Sequence, residues 1–216
     1  MILVNFKTTK EGTGNNAIKL AKICEKIEKE TKVEIVPVVQ AVDCYRVSKA
    51  INTKVFVQHV DPFEYGSNTG SILPEAVKQN GAVGTLINHA EKQVNLKVIK
   101  KTIDRAKKVG LTTVVCISKA KLATKIAEME PDYIAIEPPE LIGGNVSVST
   151  AKPELISDTV ENANNIPVLC GAGIKTAQDV KKALKYGARG ILIASGVTKA
   201  DNPEAKLREL AKAFEE

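Results

Sequence analysis

Short apolar runs recur along the chain, and between them the apolar positions fall at helical spacing. The runs are ILVNF (2–6), EIVPVV (34–39), KVFVQHV (54–60), AVGTLI (82–87), TTVVCI (112–117), DYIAI (132–136), IPVLC (166–170) and GILIA (190–194). Most are continuous rather than alternating in polarity, the pattern of strands covered on both faces in a parallel sheet. The segments between them are amphipathic. Ala17, Leu20, Ala21, Cys24 and Ile27 share one helical face, as do Leu96, Ile99, Ile103 and Ala106, and again Leu207, Leu210, Ala211 and Phe214. Gly110 and Gly187, just beyond basic stretches, supply helix-end signals. Eight strand–helix pairs in 216 residues predict one α/β domain over 1–216, a (β/α)8 barrel of eight parallel strands ringed by helices. An open doubly wound sheet is the other arrangement of such a pattern, and eight sequential pairs without a dinucleotide fingerprint favour the barrel.

Composition changes this picture little. At 44% hydrophobic the chain can fill one large core, and no apolar run approaches a membrane span. The start MILVNFK is too brief for a signal peptide, so a cytoplasmic protein is expected. Cys24, Cys44, Cys116 and Cys170 lie far apart with no CxxC, which reads as reduced packing residues rather than a zinc site or disulfide framework. The net charge of +6 admits nucleic acid or an anionic small molecule as partner. The lysines, however, are spread along helix faces (Lys19, Lys22, Lys26, Lys29; Lys97, Lys100, Lys101, Lys107) among glutamates. With aromatics at 4% and no tryptophan, little is left to stack on bases, and neither nucleic acid nor membrane is expected as a partner.

Barrel enzymes carry their active sites at the C-terminal ends of the strands. The residues just after the apolar runs are Asn5 and Lys7; Asn88, His89 and Glu91; Glu137; Gly171, Ala172 and Gly173; and Ala194, Ser195 and Gly196. Glycine-rich turns after strands seven and eight are where such barrels commonly hold a phosphate through backbone N–H groups.

At these positions the sequence resembles the triosephosphate isomerase family, over essentially the whole chain and in the short form typical of archaea. The resemblance rests on VNFK (4–7), TLINHAEK (85–92), AIEPPELIGG (135–144) and the loops CGAG and IASG, each at its proper strand end. It implies a TIM barrel that interconverts dihydroxyacetone phosphate and D-glyceraldehyde 3-phosphate with no cofactor and no metal. Residue by residue, Glu137 matches the catalytic base, His89 the electrophile, and Lys7 with Asn5 the substrate-binding pair. Glu91 matches the auxiliary acid behind the histidine, and Ile142, Gly143, Gly173, Ala194 and Ser195 fall at substrate- and phosphate-binding positions. The resemblance further implies a homo-oligomer, tetramer rather than dimer, in which the loop 65–71 brings Thr69 near Asn5 and Glu91 of the partner subunit. The sequence departs from the family pattern at Ala90, where a serine often stands, at Pro139-Glu140 in the expected lid, and at Gly173, another frequent serine.

These residue types suit that chemistry. Moving a carbonyl between neighbouring carbons requires a base that takes a proton from one and returns it to the other, and a positioned carboxylate can do both. Pro138 biases Glu137 toward extended backbone, which presents the carboxylate at the barrel mouth. The enediolate then needs donors at oxygen, which His89 and Lys7 can supply. In this family the electrophilic histidine is neutral, its pKa lowered by a helix N-terminus; the resemblance implies the same for His89 ahead of AEKQ. A stiff Pro138-Pro139 and a flexible Gly143-Gly144 read as the two ends of a lid over 138–146. His59, inside the third predicted strand, reads as a packing histidine. Two alternatives stand beside the isomerase. One is a sugar-phosphate epimerase-like barrel, whose metal-dependent form needs more ligands than His59 and His89 provide. The other is a non-catalytic basic barrel that binds nucleic acid in a salt-sensitive way.

Overall fold

All eight apolar runs become strands. In the computed structural model, which describes residues 1–141 and 147–214, they form β1 (Ile2–Asn5), β2 (Ile35–Val39), β3 (Phe56–Val57), β4 (Gly84–Ile87), β5 (Thr112–Ile117), β6 (Tyr133–Ile136), β7 (Val168–Gly171) and β8 (Gly190–Ile193). The strands pair in parallel, each with its sequence neighbours, and β8 pairs back onto β1, closing the barrel. The helices are α1 (Asn15–Thr31), α2 (Cys44–Ser48), α3 (Pro74–Gln79), α4 (Leu96–Lys108), α5 (Ala123–Ala127), α6 (Val148–Ala151), α7 (Pro153–Asn162), α8 (Ala177–Lys185), α9 (Ser195–Thr198) and α10 (Pro203–Lys212).

The continuous hydrophobicity of the strands has a direct cause: alternate residues face two different cores. Leu3, Val36, Val38, Phe56, Leu86, Val114, Ala135, Leu169 and Leu192 pack together inside the barrel. Ile2, Val4, Ile35, Val39, Ile191 and Ile193 pack outward against the helices. Helix faces follow the expected periodicity: α1 buries Ala17, Leu20, Ala21, Cys24 and Ile27, and α10 buries Leu207, Leu210 and Ala211. In α4 the stripe holds for Ile99, Ile103 and Ala106, but Leu96 at its first position is 39% exposed. The four cysteines are free and buried, and burial pushes the Cys44 thiol up to about 11 and that of Cys170 up to about 12.

The third strand is shorter than expected. Phe56 and Val57 form the strand and the Gln58 N–H adds one more bond, to the Val39 carbonyl at 3.0 Å; the chain then bends, and the Gln58 carboxamide donates to the Lys7 carbonyl at 2.8 Å. Phe56 fills the barrel against Gly84, where an added Cβ would stand 2.5 Å from the ring. The helical segment after β6 is divided: α6 ends at Ala151 and Pro153 opens α7, and Lys152 between them is non-helical, since a residue preceding proline is driven out of helical backbone. Among the described residues no helix is long and apolar enough to cross a membrane.

Candidate active site

Side-chain alternation decides what reaches the mouth. Leu3, Ala135 and Leu169 point into the barrel, so Asn5, Glu137 and Gly171, each two residues further on, sit over the same axis. The Glu137 N–H donates to the Ile117 carbonyl at 2.8 Å, extending the β5–β6 ladder by one residue before Pro138 ends it. Its carboxylate is buried, and Oε2 has no hydrogen-bond partner among the described residues. Burial raises the proton affinity of Glu137 above the usual carboxylate range, against the opposing pull of His89, the Cys116 thiol and Lys7.

Facing it is His89, also buried, with Nε2 at 3.6 Å from Glu137 Oε2. Asn88 aims the ring. Its backbone is left-handed (φ 62), and its carboxamide is tied at both ends, donating to the Cys116 carbonyl at 2.9 Å and accepting from the Val94 N–H at 3.0 Å. The Glu91 N–H donates to His89 Nδ1 at 3.1 Å. A ring nitrogen that accepts a peptide N–H carries no proton, so this geometry belongs to a neutral imidazole with its proton on Nε2, aimed at the mouth. The helix expected directly after His89 is instead a turn, closed by Lys92 N–H to the His89 carbonyl at 2.7 Å, and α4 begins only at Leu96.

Glu91 stands on the Nδ1 side of His89, away from Glu137, and its carboxylate also reaches Lys7. Its side chain is largely exposed and Oε1 holds Lys7 Nζ at 2.7 Å, while Oε2 is 3.8 Å from His89 Nδ1. Lys7 has a left-handed backbone (φ 49), and its N–H is held by Asn5 Oδ1 at 3.0 Å. Across the mouth, Ala172 and Gly173 are left-handed in succession (φ 68 and 72), and Ala194 leads into Ser195 at the start of α9. A cavity of about 270 Å³ brings Asn5, Lys7, His89, Glu91 and Glu137 together with Gly173, Ala194 and Ser195. Ile142, Gly143 and Gly144, and with them most of the expected lid, lie outside the described residues. Of its first part, Pro139–Leu141 is a single helical turn, and Glu140 pairs with Lys152 at 2.6 Å. His59 lies past the end of β3, nearly buried, with Nε2 at 3.2 Å from Asp61 Oδ1. Thr69 is exposed on its loop.

Gly171 belongs to the site for a reason that sequence reading missed. An added Cβ there would lie 2.3 Å from Glu137 Cγ and 3.0 Å from Cδ and Oε1. The glycine is the space in which the Glu137 side chain sits. Its position after an apolar run was visible in the sequence; its facing of Glu137 across the β6–β7 pair was not.

Fold and mouth together define a (β/α)8-barrel enzyme whose mouth holds a buried carboxylate facing a histidine, with a lysine nearby. The model of the family described as triosephosphate isomerase matches residues 1–214, and the chain belongs to that family of isomerases. It is 47% identical over 214 residues to the triosephosphate isomerase of Methanobacterium bryantii, covering 97% of this chain and 95% of that one. To that of Methanocaldococcus jannaschii it is 45% identical over 216 residues, covering 98% and 99%. A crystal structure of triosephosphate isomerase from Bartonella henselae matches with a TM-score of 0.78 at 18% identity, covering 100% of this chain and 98% of that one, which speaks for the fold. Family membership favours the isomerase over the epimerase-like and non-catalytic alternatives.

Proposed function

We propose that this chain interconverts dihydroxyacetone phosphate and D-glyceraldehyde 3-phosphate through an enediolate, with Glu137 as the base. The observation that carries the reading is the unpaired, buried Oε2 of Glu137 at 3.6 Å from His89 Nε2, in one cavity with Lys7 and the two backbone turns. Glu137 takes a proton from the carbon beside the carbonyl and returns it to the neighbouring carbon. Its raised proton affinity favours that task, since a base is most effective when its pKa lies near the working pH. His89, protonated on Nε2, donates to the developing enediolate oxygen, and Lys7 supplies fixed positive charge. Asn5 holds the Lys7 backbone, and Glu91 serves twice, through its N–H to His89 and its carboxylate to Lys7. Gly173, Ala194 and Ser195 offer peptide N–H groups to the phosphate. Ile142 and Gly143 join them on the strength of the family resemblance.

The same reading includes a cytoplasmic homotetramer. A cleft of about 700 Å³ opens beside the site, lined by Lys7, Val42, Gln58, His59 and Glu91 among others. The loop carrying Thr69 is exposed, as are Tyr65 (69%) and Val42 (80%), and a second copy's loop is the occupant that would cover them. Light scattering at assay concentration tests this; a fully active monomer refutes it. The activity itself is tested with purified protein in a coupled assay on both triose phosphates. Turnover in both directions is expected, and a folded protein with no turnover in either overturns the proposal.

A further inference from the structure

The turn that carries Gly173 is not self-supporting. Ala172 and Gly173 are left-handed in succession, and an alanine persists in that conformation only where its surroundings over-determine it. One side chain organises the far side of this turn. Through Oδ2, Asp179 in the first turn of α8 accepts the N–H of Lys175 at 3.1 Å, the N–H of Thr176 at 3.0 Å and the Thr176 hydroxyl at 2.9 Å. The Asp179 N–H donates back to Thr176 Oγ1 at 3.2 Å, completing a capping box.

A helix cap needs no more than that, yet the other carboxylate oxygen is also engaged, and outside the turn. Oδ1 accepts the Ser147 hydroxyl at 2.5 Å and the Thr150 hydroxyl at 3.2 Å. Ser147 is buried, with its hydroxyl 3.1 Å from that of Ser149. Beside it the Val148 N–H donates to the Ala172 carbonyl at 3.3 Å. Burial works against the charge on Asp179, but the Ser147 hydroxyl and the N–H groups of Lys175 and Thr176 outweigh it and hold the carboxyl below its ordinary range. The carboxylate therefore joins two chain segments, the first turn of α6 and the β7–α8 turn.

We propose that Asp179 is a positioning residue for the phosphate end of the substrate, fixing the aim of the peptide N–H groups around Gly173 by clamping the β7–α8 turn onto α6. The inference rests on the reading above that this turn meets the phosphate. Peptide donors cannot be re-aimed one at a time as side chains can; the shape of the whole turn sets their directions. A clamp that holds the shape thus acts on binding without touching the ligand.

The experiment compares wild type, Asp179→Ala and Ser147→Ala on three ligands: D-glyceraldehyde 3-phosphate, D-glyceraldehyde without phosphate, and inorganic phosphate as competing inhibitor. For Asp179→Ala, kcat/KM on the phosphorylated substrate should fall about ten- to hundredfold, chiefly through KM. The inhibition constant of inorganic phosphate should rise by a similar factor, while kcat/KM on D-glyceraldehyde stays within about twofold. Ser147→Ala leaves the capping box intact and should move the same constants the same way by less, which keeps the test open if Asp179→Ala folds poorly. Variants that lose only melting temperature would reduce Asp179 to a helix cap and overturn the inference. So would equal losses on phosphorylated and unphosphorylated substrate. If inorganic phosphate does not compete even on the wild type, the phosphate reading of the turn fails, and this inference with it.

Discussion

Replacing Gly171 with alanine adds a single carbon next to the base. Carbon atoms in good contact stand about 3.5–4.0 Å apart, whereas the new Cβ would meet Glu137 Cγ at 2.3 Å and Cδ and Oε1 at 3.0 Å. More than an ångström must be recovered, and the strand cannot supply it. Gly171 is paired with Leu192, and the preceding Cys170 is held between Ile136 and Ile191. Its φ is not positive, so alanine costs the backbone nothing. The Glu137 side chain is what moves. A displacement of about 1 Å in a reacting group costs on the order of a hundredfold in rate, or about 2.7 kcal/mol of barrel-held precision. Gly171→Ala is therefore expected to lower kcat about a hundredfold, with KM and the circular dichroism spectrum close to wild type. The coupled assay on both triose phosphates measures the first two. In a Glu137→Ala background, where Cγ is gone, the same substitution should change the residual rate by less than about twofold. A folded Gly171→Ala enzyme with kcat within about threefold of wild type, or an equal loss in both backgrounds, refutes the reasoning.

Four further outcomes follow from the site. Glu137→Asp, which draws the carboxylate back by one methylene, should lower kcat by orders of magnitude with the fold intact; near-normal exchange of substrate C–H with solvent deuterium in this variant would contradict Glu137 as the base. Because the folded-state pKa of Glu137 is raised, kcat/KM should fall on the acid side at a pH above that of an exposed glutamate, and a profile flat down to the ordinary carboxylate range would count against it. The same shift has a stability sign. A raised carboxyl pKa contributes stability that is complete below the unfolded pKa and lost as pH rises through the folded one. Glu137→Gln should then raise the melting temperature near pH 7 and lose that advantage near about pH 4, each tenfold of proton affinity being worth about 1.4 kcal/mol. Lys7→Met should leave the melting temperature nearly unchanged, since its pair with exposed Glu91 is worth under about 1 kcal/mol. Its kcat/KM should nevertheless fall a hundredfold or more, on the order expected for a lost charge at a developing oxyanion.

What the sequence disclosed divides along a physical line. Strands covered on both faces write themselves as unbroken apolar runs, so the barrel and the strand ends at Asn5, Lys7, His89 and Glu137 could be located one segment at a time. The overlong third strand shows the limit of that reading. Gln58 and His59 follow Phe56-Val57 without a break in pattern, yet the chain bends at Gln58, whose carboxamide meets the Lys7 carbonyl more than fifty positions away. Glu91 shows another, since the family resemblance pointed to its carboxylate behind the histidine, whereas the hydrogen bond to Nδ1 comes from its peptide N–H and the carboxylate stands 3.8 Å off. The contacts of Gly171 and Asp179 were beyond reach for a third reason. Their partners Glu137 and Ser147 stand more than thirty positions away, and which residues meet across a barrel is decided by register, which no local window contains.

Lys7, Asn88 and Ala172 stand at the ends of three different strands with φ of 49, 62 and 68, conformations that each cost on the order of 1–3 kcal/mol for a residue other than glycine. The strands below them are paired on both sides all the way round. On heating, such a molecule should surrender its rim before its staves. The temperature at which turnover begins to decline would then fall short of the calorimetric transition, and a sample cooled from between the two would recover full rate without having unfolded.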